Sequence, residues 1–138
     1  MKLIIAMLSL ISSLVLAQKV EADSILGVWW SPKKDAHIEI TKTDNRYNGR
    51  IIWSLPEKAE DLDTKNPDPK LRNEKLMGST LLKNFKFDGE KWVDGTIYDP
   101  NNGKTYSCKM TLKGNLLSVR GYIGFSLLGR TEVFEKFK

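Results

Sequence analysis

Cys108 and His37 are the one thiol and the one imidazole in the sequence, and a nucleophile beside a base is the first chemistry they could offer. Period-2 alternation separates them. Cys108 falls on the inward face of its run with Tyr106, Met110 and Leu112, while His37 falls on the outward face of another run with Glu39 and Thr41. Each is then expected to be ordinary: the thiol a small buried hydrophobe, the imidazole an exposed side chain in solvent. The carboxylates of Asp61, Asp63, Asp68 and Asp99 lie in turn-rich stretches. Two of them could serve as acid and base if they converged and their pKa values were pushed apart, but bracing of their own turns is the simpler expectation. The run Asp61-Leu62-Asp63-Thr64-Lys65-Asn66 starts like a calcium loop, yet it lacks the glycine and the terminal bidentate glutamate at the required offset. No Gly-x-Ser-x-Gly, His-Glu-x-x-His or phosphate loop occurs. The expectation is a protein that is not an enzyme and uses no metal and no cofactor.

Binding chemistry is better supplied. Ile38, Ile51, Trp53, Tyr106 and Met110 are expected on inward faces, where they form an apolar, adaptable lining for a small amphipathic or apolar ligand. Asp68 and Arg72 stand in the long irregular stretch 54–78 and are the expected polar contacts, with Arg72 suited to an anionic head group and Trp53 as the floor beneath. The alternative is a barrel filled by its own large side chains, without a cavity, whose loops or basic surface contact an envelope protein or a lipid surface.

The elements that must position these residues are strands. Alternation is cleanest in 105–112, and recurs in 36–41 and 47–53, where Tyr47, Gly49, Ile51 and Trp53 align. In order the runs are 26–30, 36–43, 47–53, 80–87, 91–98, 105–112, 116–122 and 130–137. Asp44-Asn45, Asp88-Gly89, Asp99 to Gly103 and Gly114-Asn115 provide the reversals between several of them. Eight strands joined mostly by short turns make an all-β meander. Closed on itself, that is a small eight-stranded antiparallel up-and-down barrel with one long loop, 54–78. There is no internal repeat. The chain has 138 residues, 41% hydrophobic and 28% charged, which is one domain with material for a core.

Lys2 followed by the apolar run 3–16 is a signal-peptide pattern. The run is short for a membrane span, which needs roughly 20 residues, so an integral membrane protein is not expected. Small residues at −3/−1 spacing end at Ala17 and again at Ala22, so residues 1–22 are read as leader with cleavage after 17 or 22, and 23–138 as the barrel domain. Export to the periplasm or beyond takes the chain away from nucleic acid. For its 22 Lys and Arg against 17 Asp and Glu, a formal +5, anionic envelope polymers or lipid surfaces are then more natural counterparts than DNA or RNA, and scattered solvated lysines with no partner are the simpler expectation.

Gly27-Val28-Trp29 opens the first strand and Arg130 the last, which resembles the Gly-x-Trp of lipocalin-like barrels, where an arginine of the final strand covers the tryptophan at the closed end by cation-π stacking. Further segments extend the likeness over essentially the whole chain after the leader: Asn66 to Arg72, Leu76-Met77-Gly78, Gly95 to Tyr106, Arg120 to Gly124, and Leu127-Leu128-Gly129-Arg130-Thr131. Together they resemble the bacterial exported domain of unknown function family 2147. The resemblance implies a lipocalin-like, calycin-type β-barrel in the bacterial envelope, with no activity assigned. The family commonly carries a tryptophan late in the last strand where this chain has Phe134.

Overall fold

A computed structural model describes residues 19–125 and 128–138. Residues 1–18, which hold most of the stretch read above as a leader, and Leu127 of the last resemblance segment, lie outside the described residues. Eight strands follow in chain order: β1 (Gly27–Trp30), β2 (Ala36–Thr43), β3 (Arg46–Ser54), β4 (Thr80–Phe87), β5 (Trp92–Asp99), β6 (Lys104–Lys113), β7 (Leu116–Tyr122) and β8 (Gly129–Lys136). Each pairs antiparallel with the next, and β1 pairs with β8, so the sheet is a closed up-and-down barrel. Every edge strand is thereby paired.

The two ends of the barrel are connected differently. At one end the hairpins are tight. Asp44 and Asn45 join β2 to β3 with φ of 50° and 59°, the doubly left-handed geometry of a two-residue hairpin, which Asp and Asn tolerate. Asp88 accepts the backbone N–H groups of Glu90 and Lys91 in the β4–β5 turn, and Gly114-Asn115 join β6 to β7. At the other end lie the β1–β2, β5–β6 and β7–β8 connections and the long 54–78 loop.

Large side chains fill the tight end. Trp29, Tyr47, Phe85, Trp92, Met110 and Leu117 are buried there with the Cys108 thiol. Gly95 leaves room for this packing, since a Cβ at that position would stand 2.4 Å from the Phe85 ring. A 3₁₀ turn, Ala22–Ile25, closes the end from below. Its carbonyls accept Trp29 Nε1 at Ile25 (2.9 Å) and Trp92 Nε1 at Ala22 (3.0 Å), while Asp23 accepts the Tyr47 hydroxyl at 2.6 Å. Each buried polar tip of the core thus has a partner, as burial requires.

The cation over Trp29 is not the expected one. Lys136 Nζ stands 4.8 Å from the Trp29 ring centroid and donates to Leu26 O at 2.9 Å, while Arg130 is largely exposed at the opposite end, paired with Glu132. Register is the reason: Trp29 is opposite Lys136 and Gly121 is opposite Arg130, which puts the two cations at opposite ends of β8. Gly27 belongs to the same arrangement, because a Cβ there would meet Lys136 Nζ at 2.9 Å.

Candidate functional site

The inner wall alternates as expected along β2, β6 and the first part of β3, where Tyr47, Gly49 and Ile51 are buried. The alternation then slips. His37 pairs with Trp53 but Ile38 pairs with Ile51, so Ile52 is the extra residue of a β-bulge. Beyond it Trp53 sits on the outside of the barrel, 37% exposed, and not on a cavity floor. There it packs against His37, with ring centroids 4.5 Å apart, and edge-on to Trp30. Phe137 completes the cluster at 4.5 Å from His37. His37 is therefore outside the wall, as alternation predicts, but under aromatic cover instead of free in solvent. Trp30 and Phe137 come from opposite sides of the β1–β8 seam, whose ladder has two residue pairs and where Phe137 N also donates to Val28 O at 3.0 Å, so this cluster staples the barrel's shortest ladder.

At the open end the side chains do not meet, and a cavity of about 750 Å³ remains. That is the size of a pocket for one small molecule. Ile38, Ile51, Ile97, Val119 and Phe134 make its apolar wall, and Leu76, Met77 and Leu81 extend it toward the rim. Tyr98, Tyr106 and Tyr122 add amphipathic rings. The charged groups around the opening are mostly paired. Lys58 Nζ lies 2.6 Å from Asp35, which also accepts the Ser31 hydroxyl at 2.7 Å. The Lys58 bond, with Ser31 adding to it, holds the Asp35 carboxyl below the usual carboxylate range against the opposing effect of burial, and Asp35 in turn raises Lys58. Arg130 and Glu132, two apart on the inner face of β8, pair at 3.0 Å. Asp61 and Asp99 also border the opening.

The 54–78 loop forms one wall of this opening, and it is braced at several points. Asp63, the one buried charged residue among those described, accepts the Tyr98 hydroxyl and the Asn66 amide, the latter at 2.7 Å. Burial first, and then the Asp63 carboxylate it faces, push the Tyr98 hydroxyl up to about 12. Lys65 packs on the β5–β6 turn at Gly103, whose φ is 73° and where a Cβ would stand 1.9 Å from the Lys65 carbonyl. Only glycine fits that turn and that contact. Within the loop, Leu62 pairs with Lys75 in an isolated bridge.

Of the residues expected to contact a ligand, the structure brings Ile38, Ile51 and Tyr106 to the cavity wall. Met110 shares their inward face but lies deeper, buried in the filled end opposite Trp92 and Val119. Asp68 and Arg72 are exposed on the loop and do not line the cavity. Asp68 caps the short 3₁₀ turn Pro69–Leu71 through Lys70 N, and Arg72 Nε donates to Asn66 O at 2.8 Å. The two brace the loop's outer side and do not pair with each other. Residues absent from that expectation are Leu76, Met77, Ile97, Val119, Phe134 and the Arg130–Glu132 pair. Alternation in β7 and β8 would have pointed Val119 and Phe134 inward, whereas only the folded loop shows that Leu76 and Met77 reach the opening.

Cys108 is fully buried, and burial pushes its thiol up to about 12, which keeps it protonated and inert at neutral pH. Among the described residues no group of three or more His, Cys, Asp and Glu side chains could hold a metal ion. None of the described helices is long and apolar enough to cross a membrane.

Residues 27–136 match the family described as "Uncharacterized protein conserved in bacteria (DUF2147)". A search of curated proteins gives no match. Among solved structures, the chain is similar to protein HP1028 from Helicobacter pylori, a member of the lipocalin family, with a TM-score of 0.74 over 83% of each chain at 20% identity. At that identity the likeness is one of fold.

Proposed function

The chain belongs to the bacterial family DUF2147, and from that premise and the shape of the barrel we propose that it is an exported binding module that holds one small amphipathic molecule in the open half of its barrel. The observation that carries this reading is the cavity of about 750 Å³, whose inner wall is aliphatic and aromatic and whose rim bears tyrosines and ion pairs. An apolar tail removed from water against Ile38, Ile51, Ile97, Val119 and Phe134 contributes about 25 cal/mol per Å² buried. The rim then keeps the polar head solvated and oriented. A barrel packed through its whole length is not what the open half provides. The same features favour a binder over a catalyst: the thiol is buried, the imidazole is outside the wall, and Asp63 is occupied by Tyr98 and Asn66.

The test is titration with 1-anilinonaphthalene-8-sulfonate, followed by displacement with a single-chain amphiphile. Saturable one-to-one binding is expected, lost in Ile97→Trp, which fills the cavity from β5. Binding that persists in this variant, at an unchanged unfolding midpoint, would contradict the cavity as the site.

Export is part of the proposal and has its own test. The seal uses Val20, Ala22, Asp23 and Ile25, so cleavage after Ala17 would leave it whole, while cleavage after Ala22 would remove the Trp92 acceptor. Intact-mass measurement on protein from the envelope fraction is expected to give a chain starting at Gln18. A start at Asp23 would contradict the role given to the seal, and Met1 retained in a membrane pellet would contradict export.

A further inference from the structure

Strand β8 brings charge to the inside of the barrel. Residues directly opposite on an antiparallel ladder share a face, and on the β7–β8 ladder Phe134 is opposite Leu117, Glu132 opposite Val119 and Arg130 opposite Gly121. Leu117, Val119 and Phe134 are buried in the interior, so Glu132 and Arg130 project inward as well, and both line the cavity. Glu132 is the deeper of the two, one inward position above Phe134. A carboxylate set into so apolar a wall needs a partner. Arg130 Nε supplies it at 3.0 Å from Glu132 Oε1, but from the water side: 78% of the Arg130 side chain is exposed, against 38% for Glu132.

The other ion pair at the opening has the same polarity, with 19% of the Asp35 side chain exposed and 50% of its partner Lys58. In both pairs the carboxylate is the recessed member and the cation the exposed one. Lys33, the third cation of the lining, is exposed on the β1–β2 connection. Asp35 is already occupied by Lys58 and Ser31, and Asp99 has Lys104 across the β5–β6 ladder, which leaves Glu132 as the carboxylate best placed to meet a ligand. Tyr106 and Tyr122 add ring faces to the lining, and such faces attract cations. A head group whose tail lies against Val119 and Phe134 thus meets carboxylate oxygen and aromatic rings first. A protonated amine can donate to Glu132 and rest against those rings. An anionic head group at the same depth faces Glu132 with like charge and must draw Arg130 away from it. Arg72, the cation that the sequence suggests for an anionic head, is outside the cavity.

We propose that the cavity selects amphiphiles whose head group is a protonated amine, and that Glu132 is the residue that recognises it. This rests on the binding reading above and names the chemical class of the ligand. The test is displacement of the uncharged fluorescent probe N-phenyl-1-naphthylamine at neutral pH by three amphiphiles with the same tail: decylammonium, decanoate and decyl glucoside. Decylammonium is expected to displace the probe at about tenfold lower concentration than decanoate, the worth of one hydrogen bond to a charged group, with the glucoside between them. Glu132→Gln keeps the shape and removes the charge. It should bring decylammonium to the level of the glucoside and improve decanoate, because Arg130 is then released. Glu135→Gln makes the same change of net charge on the same strand, at a residue paired with Lys34 outside the cavity, and should leave the ranking as it is. Equal unfolding midpoints exclude misfolding of the variants. Decanoate displacing the probe as well as decylammonium does, or a ranking that survives Glu132→Gln, would overturn the amine proposal and leave the cavity reading standing. Displacement by none of the three, the glucoside included, would overturn both.

Discussion

The closed and open halves of this barrel use the same eight strands and the same inward alternation, yet one is solid and the other hollow. Side-chain volume and chain connection account for the difference. The closed half places Trp29, Tyr47, Phe85, Trp92 and Met110 on its inner face and adds a segment, Ala22–Ile25, that plugs the end and accepts the indole N–H groups. The open half places Ile38, Ile51, Ile97 and Val119 at the corresponding positions and receives no plug, only a loop along one side. Tight hairpins at the first end leave nothing to vary, and longer connections at the second carry the tyrosines and ion pairs. Stability, and on the proposed reading binding, thus fall to different ends of one sheet.

Substitutions should separate the ends. Trp92→Ala removes a fully buried ring and orphans the Ala22 carbonyl, and should cost about 3–5 kcal/mol in chemical denaturation; a loss below about 1 kcal/mol would mean that the closed half is not the stabilising one. Alkaline pH should come next. Cys108 and Tyr98 ionise near 9.0 and 10.0 in the unfolded chain, but both are pushed to about 12 in the fold. The unfolded chain therefore loses these protons first, and stability, full below pH 9, should fall between pH 9 and pH 12. Cys108→Ala should flatten most of that decline, because Tyr98 lies nearer solvent and its share is screened. The two cations of β8 give the sharpest contrast. Lys136→Met should cost about 1–2 kcal/mol and couple to Trp29→Ala in a double-mutant cycle, whereas Arg130→Ala should stay within about 0.5 kcal/mol. The smallest effect is expected from Arg72→Ala. It removes one exposed hydrogen bond, should cost no more than a few tenths of a kcal/mol, well inside about 0.5 kcal/mol, and should leave amphiphile binding unaltered.

The strand order and the turns are legible in the sequence because alternation and turn chemistry are local. Tyr106, Cys108 and Met110 fall on the inner face where period 2 puts them, and the Asp44-Asn45 reversal lies where those residue types demand it. What escapes is set by register and by distance in the chain. A single extra residue, Ile52, turns Trp53 from floor to outer surface, and β-branched and aromatic residues on both sides of it hide the slip. The β1–β8 pairing, joining residues about a hundred positions apart, decides that Lys136 and not Arg130 covers Trp29. The 54–78 loop reads as a polar, irregular stretch from composition, yet Asp63 is buried against Tyr98 of β5. Leu76 and Met77 at its end are the apolar residues it contributes to the cavity.

The division of labour between the two ends is tested most directly by backbone amide chemical shifts recorded while 1-anilinonaphthalene-8-sulfonate is titrated into isotope-labelled protein. The account predicts that saturable shifts centre on Ile38, Ile51, Ile97, Val119 and Phe134, with Trp29, Phe85, Trp92 and Leu117 unmoved. Shifts centred on the outer cluster of Trp30, His37, Trp53 and Phe137, or spread through the closed end, would contradict it.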